Sequence, residues 1–295
     1  MVGDGIGRLL AGRAPLLAIG AHDGMSARLG QQAGFDLIWG SGFEIAAAHG
    51  VPDANLLTMS DQLRQCQIIG EAVDIPVIAD CDNGFGNAIN AALTTRKFEA
   101  AGIAGICIED NVFPKRCSFY EGVGRELAGI EEHARKVRAC KEAQRTEEFF
   151  VIARTEALIA GCDMAEALKR ASAYADAGAD AILVHSKLAQ PDQLAEFAAS
   201  WDSPVPLVCV PTTYDETSAR TLHEWGYDIV IFANQGLRTA IHAVRDALAV
   251  LHRTGRAADL RDMMVPLSTV FDLVALDRLR ADEERYLTVD ERVEV

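Results

Sequence analysis

No run of apolar residues in this chain reaches the ~18 needed to cross a bilayer; the longest are strand-sized. The opening Met1-Val2-Gly3-Asp4 lacks the basic, apolar and small-residue segments of a secretion signal. The expectation is a cytoplasmic protein with no membrane partner. Seven cysteines (66, 81, 107, 117, 140, 162, 209) are an odd set without C-x-x-C spacing, which argues against disulfides and a zinc cluster. Several lie in apolar patterns, where a reduced cysteine behaves as a small hydrophobe. Cations are scarce too: Lys+Arg 28 against Asp+Glu 43 gives −15, which argues against nucleic acid as a partner. A small anionic substrate stays compatible, because a metal ion and a few cations can outweigh the global field locally.

What is present is a repeat. The 295 residues, 49% apolar and 24% charged, can bury a full core. Short β-branched runs alternate with amphipathic stretches, and the runs predict strands at Leu16–Ala21, Leu37–Gly42, Val77–Asp82, Gly105–Asp110, Phe150–Glu156, Ala181–Lys187, Leu207–Thr212 and Ile229–Asn234. Helical patterns intervene, as at Asp163–Ala177 and Leu237–His252. Parallel strands need helical crossovers, so eight such units predict an α/β fold, a (β/α)8 TIM-type barrel. A doubly wound open sheet is the alternative. Against it, no G-x-G-x-x-G follows the first strand, and polar residues cluster at several strand ends. No low-complexity linker interrupts the pattern. Residues 1–295 thus read as one domain, with 256–295 a C-terminal helical extension. Its helix around Leu267–Leu279 is surplus to a lone barrel and is expected to pack on a neighbouring subunit.

The third strand ends Ala79-Asp80-Cys81-Asp82-Asn83-Gly84-Phe85-Gly86. Period-two geometry points Asp80 and Asp82 to the same side, and adjacent carboxylates repel unless a cation lies between them. Glu109-Asp110 ends the fourth strand and adds acid next door. This oxygen-rich, thiolate-free set suits Mg²⁺ or Mn²⁺, with Asp53 of Val51-Pro52-Asp53-Ala54-Asn55 within reach. The second strand ends Trp39-Gly40-Ser41-Gly42-Phe43, a turn whose backbone N–H groups and hydroxyl can cradle a carboxylate or oxyanion. Arg154 and His185 end the fifth and sixth strands. An arginine at a barrel mouth calls for an anionic partner, so Arg154 suggests phosphate or carboxylate recognition.

Taken in order, these segments and Phe113-Pro114-Lys115, His185-Ser186-Lys187 and Val210-Pro211-Thr212 resemble the phosphoenolpyruvate mutase/isocitrate lyase superfamily over nearly the whole chain. The mutase and phosphonopyruvate hydrolase branch is the most similar. The resemblance implies that Asp80 binds Mg²⁺ directly, with Asp82, Glu109 and Asp53 acting through waters. It implies that Ser41 and the backbone of Gly42 and Phe43, beside Trp39, hold a pyruvyl carboxylate. Arg154 and His185 would grip a phosphonyl group, and Lys115 would close over it on a gating loop. It also implies a homotetramer, a dimer of dimers that exchange their C-terminal helices. Two positions depart from the pattern. Mutases carry Asn and hydrolases a small hydroxyl residue where Cys117 stands, and Asn83 replaces the usual Thr. Lys115-Arg116-Cys117 also matches the start of the lyase motif, but Ser118-Phe119 replaces its Gly-His.

Cleavage of the C–P bond of phosphonopyruvate to pyruvate and phosphate is the favoured expectation. Phosphoryl transfer between phosphoenolpyruvate, or an analogue, and phosphonopyruvate is the alternative. A third reading is a C–C lyase of 2-substituted malates or an oxaloacetate hydrolase, in which Lys115 and Arg116 lower the pKa of a proton-exchanging Cys117 thiol. A barrel that binds anions without turnover is the non-enzymatic reading.

Overall fold

The computed structural model describes residues 5–12, 14–120, 122 and 124–287. They divide into two compact units, Met1–Leu237 and Arg238–Val295.

The first unit holds eight parallel strands: β1 (Leu16–Ala21), β2 (Leu37–Gly40), β3 (Val77–Asp80), β4 (Gly105–Glu109), β5 (Phe150–Thr155), β6 (Ala181–Val184), β7 (Leu207–Cys209) and β8 (Tyr227–Phe232). Each pairs with the next, and β1 pairs with β8, closing the barrel. The expected α/β barrel is the fold observed. Several strands stop one to three residues short of the sequence expectation because the chain leaves the ladder at the mouth. Ser41 caps the helix Gly42–Ala48 straight after β2, and Asp82 turns to φ 50 just beyond β3.

Strand alternation sorts the core into two shells. Leu37, Trp39, Ile78, Cys107, Ile152 and Leu183 pack inside the barrel with Ile6 of the N-terminal helix. Ile38, Ala79, Ile106, Val151 and Ile182 face outward against Ile69, Phe98, Val137 and Phe197 of the helices. Asp110 falls on the outward register and is consumed there. Arg170 Nη1 (3.0 Å) and Tyr174 Oη (2.8 Å) donate to its Oδ2, and Glu156 N donates to Oδ1 at 2.8 Å. That carboxylate therefore ties β4, the end of β5 and the helix Met164–Asp176 together.

The second unit contains the rest of the helix Gln235–Thr254, a 3-10 turn at Ala257–Met263, and the helices Leu267–Leu273 and Leu276–Tyr286. The single helix expected around Leu267–Leu279 is broken where Ala275 adopts φ 54, a left-handed stop. Ile241, Val244, Leu248, Leu267 and Val274 are each more than half exposed. The charged tail from residue 288 and Met1–Asp4 lie outside the described residues. Among the described residues, no helix is long and apolar enough to cross a membrane.

A buried histidine makes the core acid-sensitive. His133, on the helix Ile130–Ala143, is fully buried with its ring edge-on to Tyr174, 4.6 Å between centroids. Burial, reinforced by the Lys136 and Arg170 charges, pushes its pKa from 6.5 down to about 3. The unfolded chain therefore takes up this proton first as pH falls. The stability it confers is whole above about 6.5 and is lost toward about 3, at roughly 1.4 kcal/mol per pH unit. His133→Phe, which keeps the ring, should reduce the slope of unfolding free energy against pH by that amount between pH 6 and 4. Urea titrations of both proteins across this range measure it, and identical slopes would refute the assignment.

Candidate active site

The inward rows of β3 to β6 end in the chemistry: Ile78 is followed by Asp80, Cys107 by Glu109, Ile152 by Arg154 and Leu183 by His185. All four are buried or nearly so at the C-terminal rim of the barrel, where loops add the remaining groups.

On one side stand Asp53, Asp80 and Asp82 with Lys115. Lys115 Nζ lies 2.5 Å from Asp82 Oδ1 and 3.0 Å from Asp53 Oδ1, and its side chain is 4% exposed. Asn55 braces the group: its Nδ2 donates to Asp82 Oδ2 (2.8 Å), and its Oδ1 accepts from Lys115 N (2.6 Å). Asp82 N donates to Asp80 Oδ1 at 3.2 Å. Gly42 lets the helix after β2 start against these acids, since a Cβ there would stand 3.3 Å from Asp80 Oδ2 and 3.5 Å from Asp82 Oδ1. Ser41 Oγ accepts from Glu44 N at that helix start, Phe43 is half-buried on it, and Trp39 packs deeper among the inner core residues.

On the other side Arg154 is the hub. Its Nε donates to Glu156 Oε1 (2.6 Å) and lies 3.2 Å from Glu109 Oε2. Its Nη2 donates to Ser118 Oγ and His185 Nδ1, both at 2.9 Å, and Ser118 Oγ donates to Glu156 Oε2 at 2.7 Å. The anionic partner expected for Arg154 is thus present within the chain. Glu156 and Ser118 were not picked out by sequence reading. Glu156 follows Arg154 by two, the spacing that returns a side chain to the same face, and this was the available signal. Ser118 lies on a loop, where no periodicity places it.

Charge and burial set the protonation states. Burial alone would raise the Glu156 carboxyl, but Arg154, His185 and Ser118 outweigh it and hold the carboxyl well below the usual range. Burial pushes Asp82 up to about 6 and Glu109 up to about 7, against the pull of Lys115 and Arg154 respectively. Burial and the Arg154 charge lower His185, which is therefore neutral. Its Nδ1 lies between a donor, Arg154 Nη2 at 2.9 Å, and an acceptor, Glu156 Oε1 at 3.0 Å. Nε2 is buried and has no hydrogen-bond partner among the described residues, which leaves it open to an incoming group.

Cys117 does not have the environment of a thiolate. It is 7% exposed, and burial with the nearby Asp53 charge raises its pKa despite the Phe119 N–H, Lys115 and Arg154. Arg116, expected to help lower it, turns away and donates to the carbonyls of Pro114 and Lys115. Cys117 N donates to Asp53 O (3.2 Å) and Arg125 Nη2 donates to Cys117 O, so the loop is fastened by its backbone. An antiparallel bridge between Asn111 and Leu127 closes the base of this excursion.

The donor set fits a hard divalent cation. Asp53, Asp80, Asp82, Glu109 and Glu156 outnumber Lys115 and Arg154, and the acids offer oxygen alone. Among the described residues no three acid, imidazole or thiol side chains already surround one point as ligands. Lys115 Nζ lies between Asp53 and Asp82, and an ion that keeps its waters needs few direct protein ligands.

A closed barrel with acids, an arginine and an imidazole at its C-terminal mouth defines an enzyme acting on small anions. The chain belongs to the phosphoenolpyruvate phosphomutase family, whose model matches residues 6–252. It is 44% identical over 273 residues to phosphonopyruvate hydrolase of Variovorax sp. (strain Pal2), covering 92% of this chain and 93% of that one. The crystal structure of phosphoenolpyruvate phosphomutase from Streptomyces platensis subsp. rosaceus matches at 45% identity and TM-score 0.94, over 96% of this chain and 98% of that one. A phosphonopyruvate hydrolase solved with oxalate and Mg²⁺ matches at 43% identity and TM-score 0.87, over 93% and 95%. The chain is therefore an enzyme of the C–P bond type.

Glu156→Gln should expose the weight of the arginine hub. It leaves Arg154 buried beside one carboxylate instead of two, a change costing on the order of 3 kcal/mol. Denaturant unfolding at pH 7 measures this, and a loss under about 0.5 kcal/mol would mean the hub is not held as described.

Proposed function

We propose that the chain hydrolyses the C–P bond of phosphonopyruvate to pyruvate and phosphate with a divalent ion, Mg²⁺ first and Mn²⁺ as a substitute. The 44% identity to a phosphonopyruvate hydrolase supports this reading. Asp80 would bind the ion directly, with Asp82, Glu109 and Asp53 through waters. When bound, the ion supplies positive charge that stabilises the enolate left as the bond breaks.

The chain's own groups do the rest. The N-terminus of the helix Gly42–Ala48, with Ser41 and the N–H groups of Gly42 and Phe43, receives the pyruvyl carboxylate, and Trp39 supports it from below. Arg154 and His185 hold the phosphonyl oxygens. As the C–P bond breaks, its electron pair goes to C3 and phosphorus passes through a loose transition state to a water oxygen. Asp53 orients that water and takes its proton, and the enolate gains one proton at C3 in exchange, so that phosphonopyruvate and water give pyruvate and phosphate. Lys115, anchored between Asp53 and Asp82, excludes bulk water when the loop is shut.

The observation that carries water as the acceptor is at residue 117. A protonated thiol stands there, a weak hydrogen-bond partner that holds a migrating phosphoryl group poorly. Intramolecular transfer to the enolate oxygen is the second reading, favoured by the mutase structure at TM-score 0.94. The raised thiol pKa speaks against a Cys117-based lyase.

The apolar stripe Ile241, Val244 and Leu248 and the exposed Leu267 and Val274 support assembly as a homotetramer, with residues 256–295 an extension of the barrel domain exchanged between subunits. The excess of acid supports a small anion rather than nucleic acid as the partner, in a cytoplasmic enzyme, and among the described residues no helix is long and apolar enough to cross a membrane.

Phosphorus-31 NMR of enzyme, Mg²⁺ and phosphonopyruvate should show inorganic phosphate growing in. Phosphoenolpyruvate instead would establish the mutase reading, and an unchanged spectrum would sink both. Asp80→Ala should remove metal-dependent turnover, whereas Cys117→Ser should keep at least a third of kcat. Loss of all turnover in Cys117→Ser would revive the thiol as a catalyst. Light scattering should read four chain masses, falling for Val244→Glu; a monomeric wild type would overturn the assembly.

A further inference from the structure

A buried lysine on the helix Ile130–Ala143 takes no part in the chemistry above. The Lys136 side chain is 4% exposed, and its ammonium donates to one group, the carbonyl of Asn83, at 3.0 Å. Burial lowers its pKa, offset in part by Glu132 on the same helix, and none of the described carboxylates forms an ion pair with it. An ammonium buried against a single neutral carbonyl is a costly arrangement, so its effect on that carbonyl is the point of interest.

Asn83 follows Asp82 directly, in a loop that no regular structure supports. Asp82 has φ 50, and Gly84, Phe85 and Gly86 have φ of 83, 56 and 147. Asp82 and Phe85 carry side chains in the left-handed region, which ordinary residues avoid. Such a conformation persists only where the surroundings over-determine it. Five contacts reach this segment from elsewhere in the chain: Glu109 N to Asp82 O (2.7 Å), Asn55 Nδ2 to Asp82 Oδ2 (2.8 Å), Asn83 Nδ2 to Asn55 Oδ1 (3.4 Å), Lys115 Nζ to Asp82 Oδ1 (2.5 Å) and Lys136 Nζ to Asn83 O (3.0 Å). The first four come from within the site itself, and of these Lys115 is charged and holds the Asp82 side chain. Lys136 comes from the helical layer and is the charged group that holds the backbone of the loop. It holds the carbonyl of the residue after the left-handed one, so the Asn83–Gly84 peptide cannot flip and the turn that presents Asp82 keeps its shape.

We propose that Lys136 is a positioning residue for the divalent-metal site: it clamps the peptide after Asn83 and thereby keeps Asp82 turned into the mouth. The inference rests on the reading that Asp80 and Asp82 serve a metal ion, and the test separates the two. A lysine that only fills space would affect stability and leave metal affinity alone.

The experiment titrates Mn²⁺ into the full chain without substrate and follows the free ion by electron paramagnetic resonance. Lys136→Met removes the charge and the donor at similar length; Lys136→Arg keeps both. The Met variant should raise the Kd for Mn²⁺ tenfold or more with an unchanged circular-dichroism spectrum, and Arg should return it to within threefold of wild type. In turnover assays the Met variant should need more Mg²⁺ to reach half-maximal rate and recover kcat at saturation. A folded Met variant with a Kd within twofold of wild type overturns the inference, whatever its melting temperature. Wild type that binds no Mn²⁺ overturns the metal reading and the inference together, whereas Asp80→Ala losing binding while Lys136→Met keeps it overturns the inference alone. If Lys136→Met does not fold, Lys136→Gln is held to the same thresholds.

Discussion

Carboxylates crowded into a dry barrel mouth are tolerable only with cations among them, and the architecture of this site follows from that requirement. Coulomb repulsion at such separations is large in a low-dielectric interior. Two cations of the chain meet it differently. Arg154 is fixed on β5 and is locked by Glu109, Glu156 and Ser118. Lys115 arrives on a loop and sits against Asp53 and Asp82. The rigid cation belongs to the side that would receive an anionic group. The one on the loop stands among the acids suited to a metal, so the position of that loop and the charge of that cluster are physically linked.

Much of this was legible from residue spacing. A parallel barrel imposes period two on every strand, so Asp80, Glu109, Arg154 and His185 fall on the inward face by counting from Ile78, Cys107, Ile152 and Leu183. The same count sends Asp110 outward, where Arg170 and Tyr174 use it as a tie between layers. Spacing does not reveal partners in loops. Asn55, Ser118 and Lys136 act through bonds spanning 27, 36 and 53 positions, and no local pattern carries such information. Spacing also failed where a single left-handed residue intervened, at Ala275, because alanine is an ordinary helix former and carries no breaking signal.

The loop residue that set the chemical question has a more modest role than its neighbours suggested. Lys115-Arg116-Cys117 reads as a basic cradle for a thiolate, but adjacency in sequence is not adjacency in space. Arg116 spends its guanidinium on two carbonyls, and Asp53 places a negative charge near the sulfur. The balance of burial and charge leaves a neutral thiol. Sequence likeness to the lyases at this point is therefore a likeness of letters without the electrostatics that give those letters their chemistry.

In the proposed reaction, a neutral, weakly hydrogen-bonding side chain at position 117 would also bear on the choice between water and the enolate as acceptor. Both products leave from the same loose transition state, in which little covalent guidance is available and positioning decides the outcome. On that reading Arg154 and His185 would hold the phosphonyl oxygens without favouring either direction of travel. The bias would then come from what stands on the loop beside Asp53: a strong donor would keep the group near the enolate, and a weak one would let it go to water. The carboxylate of Asp53, already oriented by Lys115 and reached through the backbone of Cys117, is where such a water would find its base. On the proposed reading, one small residue on this loop would divert the reaction while the acids, the start of the helix Gly42–Ala48 and the arginine hub stay as they are.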